Sequence, residues 1–525
     1  MQVHTINKAT FSLALLLLVC GSQARAQQGY GEVSFANSGP AAAQASFLLG
    51  LAQLHDFEYQ AAAEQFRKAE TIAPDFAMAY WGEAMTKNHP IWHEQDLDGA
   101  RAVLARLGAT PQARQAKAPT EREKLYLQAV EVLYGDGSKP ERDLAYEAAM
   151  ASLYRKFPGD VNAAAFYALS ILGSAEHGRD FATYMRAAAV LEEVFPQNPR
   201  HPGVIHYMIH CYDDPIHAPL GLRAARIYAQ VAPAAPHAQH MTSHIFLALG
   251  MWDDVVKANE TATGVVNRER QSAGQPPRMC GHYNYWLEYG YLQQGRIDAA
   301  RTVLEGCREE ANRVAAQPGH ERDPDPDTYS VGSYAAMRTR FLIDSQLWND
   351  PVVEWKLSAG DYPFARFGFD YASAFAALQR GDLASAQALI PQVDSDRQAA
   401  QSTLTKGSDR SPQESTRLEI LTGQLQALLL IAEGNKAGGL QQLQGLEKFE
   451  AQMPLQFGPP YVDKPTAELL GEELLQDGRS LDAVAAFEEA LSRVPGRQLS
   501  QSGLVTAQNG AAKAPVMQTG EAKAP

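Results

Sequence analysis

Seven of the chain's 14 histidines fall between residues 201 and 244: His201, His206, His210, His217, His237, His240 and His244. Two pairs, His206/His210 and His240/His244, are spaced i, i+4. On an α-helix that spacing puts both imidazoles on one face, one turn apart. Imidazole is the commonest protein metal ligand, and such pairs offer two nitrogens to one ion. An eighth histidine, His282, opens the next helical unit, and Asp213 and Asp214 follow the first pair. Nitrogen donors with one or two carboxylates suit zinc, copper, iron or nickel and disfavour calcium and magnesium. With an open position the ion would activate water or O2; closed by four imidazoles it would be structural or stored. The chain carries no HExxH, no GxSxG, no Gly-rich phosphate loop and no CxxCH haem site, so no catalytic residue can be named apart from a metal. If the protein is an enzyme, a metal-dependent hydrolase or oxidoreductase is the expected class.

Other candidates carry weaker signals. Glu83, His89, Trp92, His93 and Glu94 cluster in WGEAMTKNHPIWHEQD. They could add ligands or fold over the histidines as a lid, although a loop that only caps the helices explains them as well. Glu176-His177 is a similar, weaker case. His55 and His320 read as ordinary core or surface histidines. His201 and His217 read as helix caps or loop braces. Cys211, beside His210, reads as a small buried apolar residue. Tyr207, Tyr212, Phe246 and Trp252 read as inter-helix packing.

The elements that must position these residues are helical. From Ala41 onward Leu49-Gly50, Ala62, Phe66, Ala69 and Pro74 stand at the signature places of a tetratricopeptide repeat, a 34-residue helical hairpin. Small residues let the helices approach, the aromatic fills the gap and proline stops the second helix. One hairpin cannot bury its apolar face alone, so others must stack on it. Further hairpins are expected at 77–107, 120–156, 161–194, 202–232, 236–265 and 281–314. After an acidic, Pro-broken loop at 315–330 they resume at 331–358, 367–393, 413–451 and 464–495. The fold class expected is all-α, a tetratricopeptide-like α-solenoid in two arrays, 41–314 and 331–498, with the histidine region at 201–282. Residues 108–119 read as linker, 27–40 as a flexible leader and 499–525 as a disordered tail.

The N-terminus reads as a signal peptide, residues 1–26. Lys8 precedes the apolar run Phe11–Cys20, too short to span a bilayer, and Ala24-Arg25-Ala26 offers a cleavage site. A secreted or periplasmic location follows. No other window is apolar enough for a membrane helix. The net charge of −14 argues against a nucleic-acid partner. Cleavage after Ala26 leaves Cys211, Cys280 and Cys307, too few for a disulfide scaffold. Cys280 and Cys307 fall at opposite ends of a hairpin in sequence and are not expected to pair.

The stretches HPGVIHYMIHCYDDP and APAAPHAQHMTSHIFLALGMWDD resemble a family of secreted or periplasmic bacterial tetratricopeptide-repeat proteins. YWGEAMTKNHPIW near the start and FGPPYVDKPTAELLGEELLQDGR near the end extend the resemblance over most of the chain. The likeness implies fold and compartment; it brings no settled activity with it. Tetratricopeptide register implies that the second, fifth, ninth and twelfth places of each first helix face a concave groove. His237, His240 and His244 would take the second, fifth and ninth places of their helix. His282 would take the second of the next, and His206, His210 and Asp213 the fifth, ninth and twelfth of the one before. The reading is a histidine-lined groove holding a transition metal, zinc, copper or iron, with a small molecule or peptide as substrate. The rival readings are a scaffold gripping an extended peptide or protein, which predicts basic or amide residues in the groove, and a metal store or carrier.

Overall fold

The computed structural model describes residues 29–175, 178–317, 330–360, 362–404 and 410–513. The signal-peptide reading at 1–26, Glu176-His177, His320 with most of the acidic loop, and the last twelve positions of the tail lie outside them. The described chain is a succession of α-helices, most of them paired with a neighbour in sequence. The one sheet among the described residues is a two-stranded ribbon, Asn88–His89 against Glu94–Gln95. The tetratricopeptide-like hairpin architecture is as expected. No helix among the described residues is long and apolar enough to cross a membrane.

Local chemistry sets the helix ends. Thr120 with Glu123, and Ser138 with Glu141, form reciprocal capping boxes at the starts of Glu121–Leu133 and Lys139–Lys156. Hairpin turns close with a left-handed residue just past the first helix. At Gly295 (φ 69°) its N–H reaches the Leu292 carbonyl and the Arg296 N–H reaches Tyr291. This pair of bonds satisfies the last carbonyls of the helix, and glycine adopts the conformation without steric cost. Packing then follows the repeat pattern. Ala62, Phe66 and Ala69 are wholly buried, and a Cβ on Gly82 would lie 2.3 Å from the Phe66 ring.

The chain forms two compact units, Met1–Ile245 with Thr261–Glu269, and Phe246–Glu260 with Arg270–Pro525. The break expected at the acidic loop is not where they divide. One apolar core in the second unit takes in Val256, Leu287, Leu304, Tyr334 and Phe369, so hairpins on both sides of that loop share it. Several segments also differ from expectation. The leader is packed rather than flexible: Phe35 is buried against Phe47, Trp81 and Tyr126, and the Ala234 N–H donates to the Gly29 carbonyl. Apolar Val33 and Phe35 alternate with polar residues there, which gives the strand-like segment one buried face. The 108–119 linker contains the short helix Pro111–Gln115. Residues 331–358 form one helix, Ser330–Ser345, and a 3-10 turn instead of a hairpin.

The tail reading is corrected too: Gln498–Lys513 is a helix packed on Ser480–Arg493. It is anchored by Arg497, which has no exposed surface and donates to Glu468 (Nε–Oε2 2.7 Å) and Asp344 (Nη2–Oδ1 2.6 Å). Gly503 allows the close approach, since a Cβ there would meet the Phe487 ring at 2.3 Å. An Ala/Gln/Gly-rich composition hides such docking, because the anchor is a single arginine at its edge.

Cys280 and Cys307 are joined by a disulfide, with Cα atoms 4.6 Å apart. The expectation against pairing fails because the helices His282–Gln293 and Ile297–Ala315 return on one another. Positions at opposite ends of the hairpin's sequence thus lie side by side in space. The bridge closes 27 residues. Replacing both cysteines by serine should cost the second unit about 3 kcal/mol of loop-closure entropy. Urea denaturation of that variant reads the loss, and an unchanged midpoint would show that the bond adds nothing.

Candidate metal centre

Two helices of the first unit carry five of the singled-out histidines. Pro202–Tyr212 starts at His201, whose Nδ1 accepts the Val204 N–H (3.3 Å) as an N-cap, with Pro202 at the first helical position. It presents His206 and His210. Pro236–Ala248 presents His237, His240 and His244.

The imidazoles converge in two groups. The Nε2 atoms of His210 and His237 lie 3.1 and 3.2 Å from Nε2 of His206, and the ligand atoms of all three lie within 4.8 Å of one another. His240 and His244 bring their Nε2 atoms to 3.1 Å. The groups adjoin: the rings of His210 and His244 are 6.1 Å apart, and those of His237 and His240 are 6.3 Å apart.

Hydrogen bonds fix which nitrogen faces the centre. Nδ1 of His206 lies 2.7 Å from the His55 carbonyl, which can only accept. Nδ1 therefore carries the proton, and the neutral ring turns a bare Nε2 toward two other imidazoles. Nε2 has one lone pair, and two N–H donors cannot both use it well. Nδ1 of His244 donates to Oδ2 of Asp213 (2.5 Å), again leaving Nε2 as the electron-pair donor. Outer carbonyl and carboxylate partners of this kind orient histidine ligands in metal sites. Asp213, counted in the sequence among the ligands, is thus the partner of a histidine. Burial, and then the neighbouring imidazoles, hold His206 and His210 well below the usual histidine range. Both stay neutral and able to donate a lone pair in mildly acidic solution.

The centre is enclosed. His206 and His240 have no exposed surface and His210 and His244 only 3 %, so these four do not line an open groove. Rings close around the trio. Phe57 lies against His206 at 4.3 Å, Tyr228 stacks on His206 at 5.4 Å, and Trp92 of the ribbon loop reaches Phe57 and His237 at 5.6 and 6.2 Å. The 88–95 loop is therefore a cover. His89 stacks on Tyr59 (4.1 Å) and faces Glu94, and Glu83 is tied to Arg67 and Arg106. His217 pairs with Asp214 at 3.0 Å and braces the loop. His282 belongs to the second unit, where its ring lies 5.5 Å from Trp286.

Two contributors escape a sequence reading. His55 is wholly buried: Nε2 donates to Oδ1 of Asn162 (3.2 Å), Nδ1 accepts the Tyr207 hydroxyl (3.0 Å), and its carbonyl orients His206. Phe57 occupies the left-handed place (φ 60°) at which Gly295 ends its own helix. Its N–H bonds to Leu54 and that of Glu58 to Gln53. A bulky side chain there costs about 1–2 kcal/mol that glycine would not. The gain is an aromatic wall on the histidines. A phenylalanine where the hairpin pattern wants glycine, in LHDFEY, was the available signal. Beside it Asp56 is buried, accepts the Tyr228 hydroxyl (2.7 Å), and is pushed well above the usual carboxylate range by burial.

The basic Arg179 and the amide Gln239 beside the centre already have partners, Arg179 pairing with Asp214 as well. Arg179 donates to the carbonyls of His210 and Cys211, and Gln239 to those of Ala229 and Ala232.

No protein-family profile matches the chain, and no curated protein matches it. Similar solved structures include yeast Tom70, at 11% identity and a TM-score of 0.34 over 90% of this chain and 89% of that one. The Cut9–Hcn1 hetero-tetramer of APC/C is similar at 11% and 0.35 over 95% and 82%. The TPR domain of P58(IPK) is similar at 11% and 0.23 over 90% and 99%. At these scores they carry no argument about what the chain binds.

Proposed function

We propose that this protein binds a transition metal ion, zinc, copper or iron, through Nε2 of His206, His210 and His237, in an oxidising compartment outside the cytoplasm. The observation that carries the reading is the convergence of three imidazole nitrogens on a lone pair already freed by the His55 carbonyl. Tetrahedral zinc with nitrogen ligands sets neighbouring nitrogens about 3.3–3.4 Å apart. The contacts of 3.1 and 3.2 Å about His206 need only a small relaxation to reach that. The Cys280–Cys307 bridge supports the compartment, since structural disulfides persist outside the cytosol. So does the apolar N-terminal run with its Ala24-Arg25-Ala26 site.

Three protein ligands leave one position for water or substrate, the pattern of catalytic more than of structural zinc. An ion so held supplies Lewis-acid or redox chemistry, which places a metal-dependent hydrolase or oxidoreductase ahead of a store. The protein's own part is to fix the ring orientations, exclude bulk water with Phe57 and Trp92, and keep His206 and His210 neutral. Elemental analysis of the mature, untagged protein should find at least one equivalent of metal. His206→Ala with His210→Ala should lose it with far-ultraviolet circular dichroism unchanged. No metal, and no uptake of added Zn2+ or Cu2+, would sink the reading and leave a buried hydrogen-bonded histidine core.

A further inference from the structure

We infer that a second ion of the same class binds beside the first, held by Nε2 of His240 and His244, so that the centre is a two-metal site. The inference rests on the metal reading of the trio and extends it. The sequence suggests a single ion between two facing pairs. The structure instead separates the nitrogens into two groups, each closed within itself at 3.1–3.2 Å. The shortest ring separations between the groups are 6.1 and 6.3 Å. Ring centroids lie 4.9–5.0 Å apart within the groups, closer than between them, and five imidazoles exceed the four ligands of one tetrahedral ion. Two ions can serve both groups, and ions in two-metal sites stand about 3.5–4 Å apart.

The second group is built as the first is. His244 has its tautomer set by Asp213, the residue that ends the helix bearing His206 and His210. One helix thus supplies two ligands to the first ion and the orienting carboxylate for a ligand of the second. That carboxylate also places a negative charge near the second cation. His240 and His244 are buried, so an ion there is removed from bulk solvent. Paired ions clamping both the attacking and the leaving oxygen are the arrangement used on phosphoryl and peptidyl substrates.

The test is a metal titration of the intact mature protein with Zn2+, and separately with Co2+ as a magnetic probe. Two equivalents are expected. His240→Ala with His244→Ala should keep the first and lose the second. Asp213→Asn, which preserves shape, should weaken the second by about 10–100-fold and leave the first unchanged. In the unaltered protein the second Co2+ should diminish the paramagnetic signal of the first by coupling, a readout that needs no variant to fold. A single equivalent, untouched by the His240/His244 replacement, overturns the second ion and leaves the trio. A single equivalent abolished by replacing either pair also overturns it, in favour of one shared ion. No equivalent overturns both readings.

Discussion

Replacing Glu58 by glutamine should leave the first unit about 3 kcal/mol better off, relative to the unaltered protein, at pH 8 than at pH 4. Glu58 follows Phe57 at the edge of the metal centre, and its Oε1 accepts the His237 backbone N–H at 3.2 Å. Burial pushes its carboxyl up to about 7. The His237 N–H works against that, and Glu269 adds to it. The reference carboxyl titrates at 4.5. Between 4.5 and 7 the unfolded chain has released a proton that the folded chain still holds. Stability from this group is therefore complete below 4.5 and is lost as pH rises through 7. The shift from 4.5 to about 7 corresponds to roughly 3 kcal/mol, an upper figure because part of the side chain reaches solvent. Glutamine keeps the oxygen that receives the His237 N–H and never ionises, so the variant escapes the loss. The difference between the two proteins isolates this group from buried histidines such as His55, held at about 4 by burial, which titrate in the opposite sense. Urea unfolding of both at pH 4 and pH 8 gives the result. A variant–parent difference equal at the two pH values would show that Glu58 ionises freely in the fold.

Helices and hairpin turns were legible in the sequence because they rest on local chemistry. Ala62, Phe66 and Ala69 announce a hairpin wherever they occur at that spacing, and Gly295 announces its turn. Two His pairs at i, i+4 announced paired imidazoles on one face for the same reason. What the sequence could not carry depends on distance along the chain. The His55 carbonyl meets His206 across 151 residues, and no residue type signals a backbone oxygen. Asp213 was visible as a candidate donor. Its role as the partner of His244 depends on how two helices lie together, and periodicity within each is silent on that. Phe35 and Cys280 with Cys307 were misjudged and Arg497 passed unnoticed for one reason: each sits in an unremarkable local context and gains its meaning from a remote partner.

Arg497 offers the sharpest case, since its loss strips a buried cation from two buried carboxylates. Arg497→Ala is expected to cost about 3–5 kcal/mol, the range for breaking a buried ion pair from one side. The guanidinium has no exposed surface and joins Asp344 to Glu468, both of them buried. Taking two carboxylates out of water is expensive, and only matched cations offset it. Lys464 remains on Glu468 at 2.9 Å and Gln293 on Asp344 at 3.2 Å, which keeps the cost from rising further. Lysine at 497 would keep the charge but lose the planar fork that reaches both acids, so Arg497→Lys should fall between the two. The pH dependence separates charge from packing. Burial alone would raise the Glu468 carboxyl, yet Arg497 and then Lys464 hold it at about 2. Its contribution is present above 4.5 and is lost as pH falls through 2. Without Arg497 the Glu468 carboxyl is released upward, so the variant has less of that contribution to lose. The stability gap between parent and Arg497→Ala should be widest above pH 4.5 and narrow below it. A gap that stays constant from pH 7 to pH 3 would mean that Arg497 fills space, and that the charges it bridges are satisfied without it.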